Sequence, residues 1–189
     1  LAESRADGFE SRFNGTDLTG WGGASENYEV VDGAIRCKAE HGGILHTTEE
    51  FANFVVRLEF KVPPGGNNGL AIRTDGISDA AYSGMCELQV LDSEDAKYAN
   101  LDPRQYHGSA YGLAAAKRGF LRQPNTWNFQ EVTVDGSTIR VELNGNIILK
   151  TDLATVTEFM ANSPHPGKGR PSGFFGFAGH NDPVAFRNI

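Results

Sequence analysis

From Asn53 to Val62, apolar and polar side chains alternate without a break. Phe54, Val56, Leu58, Phe60 and Val62 fall on one side, and Val55, Arg57, Glu59 and Lys61 on the other. In an extended chain successive side chains point to opposite faces, so this period of two predicts a strand with one face in a core and one in water. It excludes a parallel α/β sheet, whose strands are apolar on both faces. The pattern recurs. Strands over 28–32 and 34–37 are joined by Asp32-Gly33; a meander over 131–134, 138–143 and 147–149 is joined by Asp135-Gly136 and Asn144-Gly145. These dipeptides accept the positive φ of tight hairpins. Further strands are expected at 43–47, 70–74, 84–92, 173–179 and 184–189. Residues 48–51 read as a helical turn or loop, and 153–160 as one short helix. The run Pro63-Pro64-Gly65-Gly66-Asn67-Asn68-Gly69 reads as a loop unable to pair, and 164–172 as a flexible basic loop. About a dozen short antiparallel strands with almost no helix predict an all-β fold, a two-sheet jelly-roll sandwich.

The 189 residues suit one domain over 1–189, able to bury about 70% of its unfolded surface. A net charge of −7 argues against nucleic acid or an anionic membrane as partner. No run of about 18 apolar residues is available to span a bilayer. No signal peptide is visible, and the chain starts at Leu1 and ends abruptly at Ile189, as a trimmed domain would; a removed leader would leave no trace. Cys37 and Cys86 each sit in an apolar run, which favours free, buried thiols over a disulfide. Neither has the spacing of a zinc site.

Chemistry concentrates in Gly84-Met85-Cys86-Glu87-Leu88-Gln89-Val90-Leu91-Asp92. As a strand, this segment turns Cys86, Leu88 and Val90 to the core, and Met85, Glu87, Gln89 and Leu91 to the other face. A carboxylate and an amide side by side on a rigid strand suit a sugar hydroxyl or a base's proton; a solvated sheet face is the plain alternative. Asp92 needs a bulge to join them. Residues 95–124 lack periodicity, as long segments lining a site often do. His107 lies there, and His180 lies in a turn between the closing strands, where it either titrates usefully or caps the turn. His41, His46 and His165 read as solvated, and Trp21 and Trp127 as core anchors. No cofactor is expected. A structural calcium ion is a common addition to such sandwiches, and Asp17 and Asp182 would be its carboxylates, although no loop shows dense ligand spacing.

Six phrases in order resemble one family, the 3-keto-disaccharide hydrolase domain. They are Phe13-Asn14-Gly15-Thr16-Asp17-Leu18-Thr19-Gly20-Trp21, Gly65-Gly66-Asn67-Asn68-Gly69-Leu70-Ala71-Ile72-Arg73, Glu87-Leu88-Gln89-Val90-Leu91-Asp92, Trp127-Asn128, Leu143-Asn144-Gly145 and Phe186-Arg187-Asn188-Ile189. They run from about residue 8 to the end. Departures occur at Asn67-Asn68-Gly69, where the family usually has Asn-Ser-Gly, and at Met85-Cys86, where an aromatic commonly precedes the glutamate. The resemblance implies a concanavalin A-like lectin/glucanase sandwich, a keto-sugar carbohydrate as partner, and an extracytoplasmic (periplasmic or secreted) location.

The implied activity is hydrolysis of 3-keto-glycosides, through proton abstraction at C2, β-elimination of the glycosidic oxygen and hydration. It needs a base, a donor at the C3 oxygen and an acid at the leaving oxygen. Glu87 is the first candidate for base. Arg73 either stabilises the enolate oxygen, with Asn68 as a further donor, or pairs with a surface carboxylate. His180 completes the catalytic candidates, and Gln89, Asp92 and His107 are candidates for gripping hydroxyls. Two other readings compete. One is a non-catalytic carbohydrate-binding module. The other is a conventional endo-glucanase, disfavoured because the strand has one Glu where a retaining mechanism wants two.

Overall fold

The structure, a computed structural model, describes residues 8–189. Its strands are β1 (Trp21–Gly23), β2 (Tyr28–Val31), β3 (Ala34–Cys37), β4 (Gly42–Phe51), β5 (Phe54–Lys61), β6 (Asn67–Thr74), β7 (Cys86–Leu91), β8 (Asn128–Asp135), β9 (Thr138–Leu143), β10 (Asn146–Asp152), β11 (Gly173–His180) and β12 (Ala185–Arg187). A five-stranded sheet has the order β1-β4-β11-β6-β7, and a seven-stranded sheet β10-β9-β8-β5-β12-β3-β2. Neighbours are antiparallel throughout, and the chain crosses repeatedly between sheets, so the fold is the expected all-β sandwich. One α-helical turn, α1 (Ala80–Ser83), joins β6 to β7, with the Asp79 carboxylate accepting from the Ala81 N–H at its start.

The alternating faces meet as predicted. Leu58, Phe60, Val132, Val134 and Phe186 from the larger sheet pack on Leu70, Ile72, Leu88, Val90 and Phe177 from the smaller one in a single apolar core. Phe177 stacks on Phe186 at 3.9 Å and on Trp21 at 5.2 Å, bridging the sheets. Burying one such ring contributes on the order of 2–3 kcal/mol. Cys37 and Cys86 are both buried and free.

Several local readings change. Residues 48–51 extend β4 and pair with β11, Glu50 opposite Phe174. Their polar side chains stand in water on both faces, so no alternation marks the strand. Asn67–Gly69 do pair, opposite Leu91–Gln89, despite a glycine-rich sequence that reads as a breaker. Residues 153–160 form no α-helix, only a 3₁₀ turn at Leu153–Thr155 and the start of another at Met160–Asn162. Val156 and Thr157 are β-branched, and so short a segment does not nucleate a helix. Met85 leaves the Glu87 face and lies in the core. His165 is buried, not solvated, at 6 % exposure. Among the described residues no helix is long and apolar enough to cross a membrane.

Candidate active site on the outer face of the five-stranded sheet

β7 is buried on both faces. Cys86, Leu88 and Val90 enter the core, so Glu87 and Gln89 project from the opposite face; even there they are only 4 % and 5 % exposed. Gly69 lies directly across from Gln89, and a Cβ on it would overlap the Glu87 side chain. The glycine in β6 therefore makes the space in which the carboxylate lies. Glu87 Oε1 is 3.4 Å from His180 Nε2 at the end of β11. The hydrogen bond to Glu87 is the main cause that raises the His180 pKa, against partial desolvation, with Asp79 and Asp182 adding smaller charge effects. The His180 side chain remains 47 % exposed. A buried carboxylate thus faces a half-exposed imidazole that readily carries a proton.

Polar groups extend the site along β6. Gln89 Nε2 donates to Asn67 Oδ1 at 3.1 Å, and the Asn67 N–H donates to Asp182 Oδ2 at 3.0 Å. The far edge of β7 is covered by residues 108–111. Gly108 N–H donates to Gln89 O, Gln89 N–H to Ser109 O, and Tyr111 N–H to Glu87 O. Ala110 bridges Leu88 and is buried with it in the core, so Tyr111 is turned toward the Glu87 side. Its hydroxyl accepts from Gln105 Nε2 at 3.0 Å. On the other flank, α1 supplies Tyr82. Burial first, then the neighbouring Tyr111, Asp79 and Glu87, push this phenol's pKa up.

Comparison with known proteins places the whole described chain in one family. Residues 8–189 match the 3-keto-alpha-glucoside-1,2-lyase-like domain. The chain belongs to that family. A relative, the 3-keto-disaccharide hydrolase of Bacteroides thetaiotaomicron, is 25% identical over 225 residues, spanning 97% of this chain and 78% of that protein. A crystal structure of a candidate glycosyl hydrolase from Parabacteroides distasonis superimposes with a TM-score of 0.81 at 26% identity, covering 92% of this chain and 93% of that one. A second from the same organism gives 0.83 at 23% identity, over 100% and 94%, a likeness of fold. The family resemblance read from six sequence phrases therefore holds over the described chain.

In this candidate site, the residues singled out from sequence divide. Glu87, Gln89 and His180 come together. Arg73 does not join them. Its Nε donates to Ala52 O at 2.8 Å, its Nη1 reaches Gly136 O at 2.8 Å and Arg170 O at 2.9 Å, and its Nη2 reaches Asn53 Oδ1 at 3.1 Å. A guanidinium so occupied ties loops together. Asn68 is on the inner face, fully buried, its Oδ1 accepting from the Gly69 N–H. Asp92 lies past the end of β7, where Oδ2 accepts from the Gly65 N–H at 2.9 Å and holds that loop. His107 sits between the sheets, stacked on Phe60 at 4.9 Å. Its Nδ1 accepts from the Leu91 N–H, so Nε2 carries the proton and donates to Gln130 Oε1 at 3.0 Å. Burial pushes its pKa down to about 4.

Of the carboxylates considered for calcium, Asp182 accepts from Asn67 and Asp17 from the Thr19 N–H. Sequence reading passed over Tyr82, Tyr111 and Asn67. Asp79 followed by two alanines, with Gly84 closing the turn, was the available signal for α1 and hence for Tyr82.

Proposed function

We propose that the protein cleaves the glycosidic bond of 3-keto-glycosides by elimination followed by hydration. The observation that carries this reading is the Glu87–His180 pair: a carboxylate fixed on a buried strand, bonded to one half-exposed imidazole at 3.4 Å. The ketone at C3 acidifies the hydrogen on C2. Glu87 takes that proton, and the C–H electron pair forms the C2–C3 double bond while the carbonyl pair moves to the C3 oxygen. Return of that pair expels the C1 oxygen, which takes a proton from His180. The products are a sugar enone and a free alcohol, and water added at C1 of the enone completes a net hydrolysis. Gln89 and Asn67 offer amides to ring hydroxyls. The names of the relatives support the substrate class, and the carboxylate–imidazole pair supports acid–base chemistry in place of the two carboxylates of a retaining glycosidase.

The test is incubation with a 3-keto-disaccharide and its unoxidised parent in deuterated water. Cleavage of the keto sugar alone, with deuterium entering C2, is expected. Glu87→Gln lowers kcat roughly 10²–10⁴-fold and leaves the fold intact. Binding of unoxidised glycans without any product, by a folded protein, would instead mark a carbohydrate-binding module.

A further inference from the structure

An enolate forming at C3 needs a hydrogen-bond donor, and the guanidinium expected for that task is committed to loop carbonyls. We propose that the Tyr82 hydroxyl donates to the substrate's C3 oxygen as it becomes an enolate, and that His165 is the positioning residue that sets its ring. The inference rests on the keto-glycoside reading and names the third group of that site.

Placement comes first. Ala80 of α1 packs against Ala71 and Ala178 on the outer face of the smaller sheet, and Ala71 is the direct cross-strand partner of Glu87. Tyr82, two residues on, is thereby anchored beside the carboxylate and interacts electrostatically with both Glu87 and Tyr111. Among the described residues no protein group bonds its hydroxyl, whereas the Tyr111 hydroxyl already accepts from Gln105. The Tyr82 O–H is thus unspent on folding, on a helical turn packed over the cross-strand partner of Glu87.

The support beneath the ring is equally specific. His165 stacks against Tyr82 at 4.8 Å and donates from Nδ1 to Ala81 O at 2.8 Å. That bond fixes the tautomer, leaving Nε2 bare, buried and without a partner. A Cβ on Gly112 would lie 3.1 Å from Nε2; as a glycine, at φ +70°, it lets the loop carrying Tyr111 close over the imidazole. Arg170 Nε donates to Ser83 O at 2.6 Å, so residues 165–170 strap the end of α1. A buried ring with half its hydrogen-bonding capacity unmet costs stability. Its shape, wedged between Tyr82 and the Tyr111 loop, accounts for its presence.

The experiment uses the full chain and a 3-keto-disaccharide in deuterated water. Tyr82→Phe is expected to lower kcat and C2 exchange roughly 10²–10³-fold, the usual cost of losing one oxyanion donor, with KM changed only a few-fold. His165→Asn keeps a donor for Ala81 O and removes the ring. It is expected to lower kcat in the native background and to add no loss to Tyr82→Phe. Wild-type kcat in Tyr82→Phe overturns the proposal. Equal losses from His165→Asn in both backgrounds overturn the positioning role. A wild-type protein that neither exchanges C2 nor cleaves overturns the keto-glycoside reading, and this inference with it.

Discussion

A methyl group at residue 69 would fill volume that the Glu87 side chain occupies. The atoms it meets belong to a side chain with three rotatable bonds, so Gly69→Ala is expected to fold and to turn the carboxylate away from His180. Activity should fall about as far as in Glu87→Gln. The imidazole reports the same event. With Glu87 in place the folded pKa of His180 is raised, so the pair stabilises fully below the ordinary histidine value, and the benefit is lost as pH rises through the raised one. In Gly69→Ala, an NMR titration of His180 should move down toward the unperturbed value. A native titration curve in an inactive variant would show that the substitution acts elsewhere.

At the scale of elements, the loops at the end of the sandwich hang on one side chain. Arg73, itself at φ +48°, bonds carbonyls of Ala52, Gly136 and Arg170. Arg73→Met would leave those acceptors unmet, at a cost on the order of 3 kcal/mol or more. Urea unfolding should show that loss, while the folded variant, assayed at low temperature, retains kcat. Loss of kcat without loss of stability would return Arg73 to the chemistry.

The same residue shows what a sequence conveys. The faces of β5 were legible because burial on one side imposes a period of two; in β7, buried on both faces, the alternation of apolar Cys86, Leu88 and Val90 with polar Glu87 and Gln89 placed the polar pair away from the core. Partnership was not legible. Asn68 has the chemistry of a sugar ligand but the parity of the core, opposite Val90. His107 lies in the irregular segment that covers β7, yet its ring turns inward to Gln130. Tyr82 left only a capping signal at Asp79, because α1 is a single turn, too short for periodicity.

For the molecule as a whole, acid is the informative stress. His107 is neutral in the folded state, with a pKa near 4, whereas the unfolded chain protonates it near 6.5. The unfolded state binds the extra proton between those values, so stability falls as pH falls, by about 1.4 kcal/mol per unit and about 3 kcal/mol in all. Thermal midpoints should drop through this window while the His107 ring keeps its Nε2 proton by nitrogen NMR. A ring that titrates near 6.5 in the folded protein would remove this account. The outer face of the larger sheet adds little either way. Its ion pairs, such as Arg57–Glu131 and Arg36–Glu29, are partly exposed, and pairs of that kind contribute about 0–1 kcal/mol.

The strand order carries a consequence for the protein's synthesis. β11 lies between β4 and β6, and it brings His180 to a glutamate 93 residues earlier in the chain. Until β11 leaves the ribosome, β4 and β6 have no partner between them and the smaller sheet is split. A chain that has not yet placed β11 therefore carries Glu87 without the imidazole it meets in the folded sheet, and the two side chains come together only when this late strand slots home between its neighbours.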